Sequence, residues 1–268
     1  MKMKKYLINI NQLNEIEEYK KIGITNFLFA IPDFSIGYNT IPIKDIPNDG
    51  YIFINRLLDT NDVVKLKEIK EELMRFKGII FEDISVYQIF KDTSLELIWN
   101  QAHFATNASS INFWLDHVSS AIISNEITKE EIEYIVKHAN KPIIINIFGR
   151  NNIMYSRRTL LSNFNKYNNL EKYNNMNLKT NNNDFYAIED KHGTLLFNND
   201  YFNYINKLNL DDDKIKFYMI LNLDFSVSKI NEIINGLSIG NDGFLNKKTV
   251  YKLADYGDKK GDRDNGKN

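Results

Sequence analysis

The segment WNQAHFATN, residues 99–107, concentrates side chains that can hydrogen-bond or transfer a proton. It continues the apolar run LELIW, residues 95–99, and contains His103, one of four histidines in the chain. Histidine titrates near neutral pH and can exchange a proton with a substrate, which amide and hydroxyl groups can orient. We predict His103 as a catalytic residue, with substrate-binding neighbours at Asn100, Gln101, Thr106 and Asn107.

Further candidate residues follow other apolar runs of the chain. Glu82 comes after GIIF, and Glu126 comes shortly after SAIIS, so both carboxylates are predicted as catalytic acids or bases. Arginine binds carboxylates and phosphates well, which favours an anionic ligand. The remaining predicted substrate-binding residues, all hydrogen-bonding or cationic, are Arg56, Ser124, Arg150, Tyr155, Ser156, Arg157 and Arg158.

Each candidate also has a structural alternative. Glu82 could pair with Arg56 or cap a helix instead of meeting a substrate. His103 could simply hydrogen-bond a carbonyl in its own loop, and the adjacent Arg157 and Arg158 could be solvated. The residue types alone leave these alternatives open.

Eight short apolar runs are predicted as strands, and amphipathic segments lie between them. The near-continuous apolar character of the runs is typical of parallel strands that are covered on both faces. The predicted strands are residues 5–10, 25–31, 51–55, 78–83, 95–99, 120–124, 142–148 and 214–222.

Helical periodicity predicts three of the crossover helices. Residues 60–76 carry one apolar face, with Thr60 or Asn61 as the predicted cap. Residues 107–118 form a second helix, capped by Asn107 or Ser109, and residues 128–139 begin with the capping-box pattern of Thr128 and Glu131.

Repeated strand–helix units predict an α/β fold, a (β/α)₈ TIM-barrel-like domain over residues 1–253. An open doubly wound sheet is the rival architecture. In a barrel, the carboxyl ends of the strands and the loops after them form the active face. The candidate residues should therefore meet at one end of the barrel.

The repeat is interrupted between the seventh and eighth predicted strands, by an insertion at about residues 149–213. Its Asn-rich part, residues 162–184, is predicted as a mobile insertion, and FYAIED and TLLF as a hairpin with Gly193 in the turn. The tail, residues 254–268, is predicted to be disordered.

Composition excludes several chemistries. The chain has no cysteine, which rules out disulfides, thiolate nucleophiles and cysteine-held zinc or iron–sulfur clusters within it. The formal net charge of −1 gives no global basic field for nucleic acid. We find no signal peptide pattern and no apolar run of membrane-spanning length, so we expect a cytoplasmic protein with no membrane partner.

Several blocks resemble the peptidase U32 family, the collagenase-like peptidases. They are WNQAHFATNASSINFW, AIISNEITKEEI, FGRNNIMYSRRTLLSNF, EDKHGTLLF and GFLNKKTVYK, in the order that the family shows. The resemblance covers roughly residues 1–253. It implies a TIM-barrel-like catalytic domain, in agreement with the strand pattern.

The resemblance also implies a choice of function. The family name records a peptidase activity of unresolved catalytic type, and other members take part in hydroxylating RNA bases or ubiquinone. Several members hold an iron–sulfur cluster, with one ligand aligned to Thr159 here, so no cluster is expected in this chain. The chain is similar to shorter, cluster-free members linked to the hydroxylation of wobble uridine in tRNA.

Three hypotheses follow from this resemblance. The first is a role in forming 5-hydroxyuridine in tRNA, with prephenate as a co-substrate clamped by the arginines and with tRNA as a partner. The second is a U32 peptidase, and the third is a non-catalytic partner of a longer, cluster-bearing paralogue. Whether the chain is an enzyme is left open by its residues.

Overall fold

The computed structural model describes residues 4–101, 103–171, 173–179, 184–208, 210 and 212–247. Within them the strands are β1 (Tyr6–Asn9), β2 (Asn26–Ala30), β3 (Tyr51–Ile54), β4 (Gly78–Phe81), β5 (Glu96–Asn100), β6 (Ser120–Ile123), β7 (Ile143–Ser156), β8 (Asn175–Lys179), β9 (Asp184–Asp190), β10 (Gly193–Asn203) and β11 (Ile215–Ile220). The α-helices are α1 (Glu15–Lys21), α2 (Thr60–Glu68), α3 (Lys70–Leu73), α4 (Ile84–Phe90), α5 (Ala108–Leu115), α6 (Lys129–His138), α7 (Leu160–Tyr167) and α8 (Val227–Ile234).

Eight parallel strands close into a barrel, which confirms the predicted (β/α)₈ architecture. Strands β1 to β7 pair in chain order, and β11 pairs in parallel with both β1 and β7. The pairing of β11 with β7 excludes the open sheet. The crossover from β2 to β3, all of it within the described residues, contains a short 3₁₀ helix, Ile43–Asp45, and no α-helix.

The barrel interior changes from apolar to polar along its axis. Alternate residues point inward, and the buried inner cluster includes Phe53, Ile80 and Ile98. Two residues farther along the same three strands come Asn55, Glu82 and Asn100, which all line a cavity at the carboxyl end. A period of two therefore places polar side chains directly above the apolar core.

Strand β7 extends well beyond the barrel, which corrects the predicted strand end at residue 148. Its continuation, from Gly149 to Ser156, pairs in antiparallel register with β10. Arg150, Tyr155 and Ser156 therefore lie on a strand rather than in a loop. The predicted hairpin with Gly193 at its turn is confirmed, because β9 pairs with β10 from Asp190↔Gly193 onward.

One predicted helix needs correction. The expected helix over residues 60–76 is divided into α2 and α3 at Ile69. Its cap is Asp59, whose side chain accepts from the Asp62 N–H, and neither Thr60 nor Asn61 holds that position. The capping box of Thr128 and Glu131 at α6 is confirmed.

Regular structure occupies part of the Asn-rich segment 162–184, which was predicted as a mobile insertion. Helix α7 begins after Thr159, whose side chain makes no capping hydrogen bond. The buried Glu189 of β9 caps it instead, accepting from the N–H groups of Leu161 and Ser162 at 2.7 and 3.0 Å. Because the cap comes from a distant strand, the start of this helix has no local capping signal.

The predicted disordered tail, residues 254–268, lies outside the described residues. Among the helices of the described part, none has the length and apolar content needed to cross a membrane.

Candidate active site

A small cavity of about 90 Å³ opens at the carboxyl end of the barrel, and we refer to it as the mouth. Strands β3 to β7 supply its polar wall, while Leu195 and Phe197 of β10 supply part of the apolar wall. The hydrogen-bonding and titratable residues that line it are Asn55, Glu82, Asn100, Gln101, His103, Asn125, Glu126, Asn146, Arg150 and Asn152.

Glu82 is one of the two carboxyl groups that line the mouth in the described part of the chain. Its Oε1 accepts a hydrogen bond from Asn100 Nδ2 at 2.9 Å, and its backbone carbonyl accepts from Gln101 Nε2 at 2.9 Å. Burial raises the pKa of Glu82 to about 8, and the bond from Asn100 opposes this only in part. The side chain is therefore mostly a neutral acid at pH 7 and can donate a proton.

Arg150 provides positive charge at the opposite side of the mouth. Its Nη2 donates to Asp224 Oδ2 at 2.8 Å, and the same oxygen accepts from the Tyr201 hydroxyl at 2.7 Å. The guanidinium lies 4.5 Å from the ring centroid of Tyr186 and 4.8 Å from that of Tyr201. Two rings and one carboxylate thus fix the orientation of the arginine.

The mouth contains buried polar atoms without a hydrogen-bond partner in the described part of the chain. They are Arg150 Nε and Nη1, Asn146 Oδ1 and Asn152 Oδ1. Leaving such groups unsatisfied costs about 1–3 kcal/mol each, so they favour a bound molecule or water. The two arginine donors suit an anionic oxygen, and the two amide oxygens suit a hydroxyl or N–H donor.

His103 and Glu126 form a pair at the rim. His103 Nδ1 lies 3.1 Å from Glu126 Oε2, and about half of the His103 side chain is exposed, 51%. The Glu126 N–H donates to Ser124 Oγ at 3.1 Å, and this bond holds the start of the loop that follows β6. The pair can pass protons between solvent and the mouth.

The structure places several predicted substrate-binding residues away from the mouth. Arg56 is only 3% exposed in its side chain and pairs with Asp62 at 2.9 Å, not with Glu82. Asn107 caps α5 by accepting from the Ser110 N–H at 2.9 Å. Thr106 is likewise outside the mouth lining.

The predicted substrate-binding residues near the end of β7 also make contacts outside the mouth. Arg157 donates to Asp59 Oδ2 at 2.6 Å, at the cap of α2. The Tyr155 hydroxyl donates to the His192 carbonyl at 3.0 Å, and the Arg158 N–H donates to Ser156 Oγ at 3.2 Å. These residues join the hairpin to the barrel and do not line the mouth.

Sequence reasoning missed several residues of the site. Asn146 lies two residues after the inward-facing Ile144 of β7, so the period of two could have found it. Asp224 lies shortly after β11, a strand end that the sequence analysis left unexamined. Tyr186 and Tyr201 gave no local signal, because their position depends on the fold of the hairpin.

In the described ranges, no group of three or more His, Asp or Glu side chains is placed to hold a metal ion.

Comparison with known proteins gives one family. The model of the family described as peptidase family U32 matches residues 44–213, more than half of the chain. A comparison with curated proteins gave no match.

Proposed function

Since the chain belongs to peptidase family U32, we propose that it takes part in hydroxylating the wobble uridine of tRNA. In this proposal prephenate, a dicarboxylate, binds in the mouth as the hydroxyl donor. The proposal assigns to this chain the binding of the co-substrate and the handling of protons.

The observation that best supports the proposal is the hydrogen bonding of Arg150. Its Nε and Nη1 atoms are buried and have no hydrogen-bond partner in the described part of the chain, although Asp224 and two tyrosine rings hold the guanidinium in place. Carboxylates and phosphates are the ligand classes that satisfy such donors best. Prephenate supplies a carboxylate.

The other mouth residues have distinct roles in the proposal. Glu82, neutral at pH 7, donates a proton to an oxygen of the bound molecule, and Asn100 orients the carboxyl group through its 2.9 Å bond. His103 and Glu126 at the rim then exchange protons with solvent.

The experiment that tests this function is mass spectrometry of tRNA nucleosides from a deletion strain. We expect 5-hydroxyuridine to disappear and to return with the wild-type gene, but not with the Arg150→Gln variant. Persistence of the nucleoside in a strain that also lacks any U32 paralogue would contradict the proposal.

Peptide hydrolysis is the second candidate function. It is supported by the name of the matching family and by Glu82, whose raised pKa suits an acid or base in hydrolysis. Incubation of the pure protein with gelatin, with and without divalent metal, tests it. Cleavage that is lost in the Glu82→Gln variant would favour the peptidase.

A non-catalytic role beside a cluster-bearing paralogue is distinguished by co-purification. In that case we expect a stable complex, together with full complementation by the Glu82→Gln and Arg150→Gln variants.

A further inference from the structure

An open apolar groove lies beside the mouth, between the start of α4 and the start of α5. Its volume is about 610 Å³. Glu82 and Gln101 line both the groove and the mouth, so the two spaces meet at these residues. A molecule with one part at the mouth can therefore extend directly into the groove.

The walls of the groove are mainly aromatic. Phe104 and Phe113 are 69% and 61% exposed, although large aromatic side chains are normally buried. Trp99 and Trp114 stack beneath them, with ring centroids 4.7 Å apart and an interplanar angle of 16°. An exposed aromatic surface of this kind, adjoining a polar cavity, indicates a binding surface.

The chemistry of the groove favours a neutral, planar group. Among the groove residues in the described part of the chain, Glu82 is the sole Asp, Glu, Lys or Arg side chain. Ser109, Ser110 and Gln101 add hydrogen-bonding groups to the aromatic walls. A nucleobase combines a planar face that stacks on aromatic rings with polar edges that bond such groups.

We propose that this groove binds the nucleobase next to the target uridine in the RNA chain. The proposal rests on the tRNA-modifying function proposed above. The target base then faces the mouth while its neighbour stacks on Phe104 and Phe113. Such an arrangement needs unstacked bases, which a single-stranded loop provides.

The two tryptophans make the groove directly observable. The chain contains only two tryptophans, and Trp99 and Trp114 both line the groove, so its tryptophan fluorescence reports on this place alone. The probe is a synthetic anticodon stem–loop RNA with uridine at the wobble position. Titration of the full chain should quench the emission as the base stacks.

Four variants separate stacking from folding. Phe104→Ala and Phe113→Ala should each raise the dissociation constant for the stem–loop roughly 5- to 150-fold, the range for loss of one stacked base. Phe104→Tyr keeps the ring and should bind nearly as the wild type does. Phe164→Ala, an exposed phenylalanine on α7 outside the groove, is the matched control and should leave affinity unchanged.

Two results would overturn the proposal: unchanged RNA affinity in both alanine variants, or emission that responds to a gelatin-derived peptide and not to RNA. The second result would assign the groove to a protein substrate.

The outcome for the groove can be separated from the outcome for the proposed function. If a deletion strain retains 5-hydroxyuridine while RNA binding depends on Phe104, the groove is supported and the tRNA function fails. If deletion removes the nucleoside, and the Phe104→Ala and Phe113→Ala variants both restore it fully with normal RNA affinity, the function is supported and the groove fails.

Discussion

Replacing Arg150 by glutamine should weaken prephenate binding without unfolding the protein. The variant removes the two buried donors, Nε and Nη1, and the positive charge that accompanies them. A hydrogen bond to a charged group contributes about 1.5–3 kcal/mol, which corresponds to a roughly 10- to 150-fold rise in the dissociation constant. We count one such bond, because two bonds from the same guanidinium do not add independently.

The Arg150→Lys variant tests whether the planar group matters as well as the charge. The Arg150 guanidinium lies 4.5 and 4.8 Å from two ring centroids and donates to Asp224 at 2.8 Å. Lysine keeps the charge, but its compact ammonium group cannot make all of these contacts at once. We expect an affinity between those of the wild type and the glutamine variant.

Isothermal titration of the pure protein with prephenate at pH 7 measures both effects. Arg75→Gln is the matched control, since Arg75 bonds Asn48 and the Ile43 carbonyl, well away from the mouth residues. Thermal unfolding of each variant checks that the fold is intact. An Arg150→Gln variant that folds and binds prephenate as tightly as the wild type would refute the assignment of the anion site.

Three further predictions concern pH and stability. Because burial raises the pKa of Glu82 to about 8, its contribution to stability should decline as pH rises from the ordinary glutamate range through about 8. In calorimetry, the melting temperature of the Glu82→Gln variant should therefore increase relative to that of the wild type as pH rises over this range. Burial alone would raise the pKa of Glu189, but its hydrogen bonds hold that pKa below the ordinary value. In urea unfolding at pH 7, Glu189→Gln should lower the free energy of unfolding by about 3 kcal/mol. The loss should become smaller as pH falls below the ordinary pKa of glutamate and through the lower pKa of Glu189 in the folded protein. In the same assay, Gly78→Ala should lower the free energy of unfolding by about 1–3 kcal/mol, because the added Cβ would collide with the Glu96 backbone carbonyl in the neighbouring strand.

The fold was predictable because each barrel strand is a short apolar run with its own boundaries. All eight predicted strands are present, and the parallel order follows from the helices between most of them. The extension of β7 was not predictable from its own residues. Polar residues such as Arg150 and Asn152 continue the strand because β10 supplies their hydrogen-bonding partner.

The site could be predicted only in part, because position at a strand end does not give side-chain direction. Neighbouring residues on a strand point to opposite faces. Asn55 lines the mouth, whereas the adjacent Arg56 pairs with Asp62 of α2. Glu82 likewise lines the mouth, whereas Asp83 caps α4 by accepting from the Ser85 N–H. Applying the period of two to every strand end would have separated these pairs.

The proposed anion site is built from three parts of the chain that are distant in sequence. Arg150 comes from the extension of β7, Tyr186 and Tyr201 come from β9 and β10, and Asp224 follows the barrel's last strand. The β9–β10 hairpin therefore contributes to the mouth together with the barrel. Asp224 follows β11, and β11 pairs with β7, so the closed barrel places the Asp224 carboxylate within 2.8 Å of Arg150 Nη2.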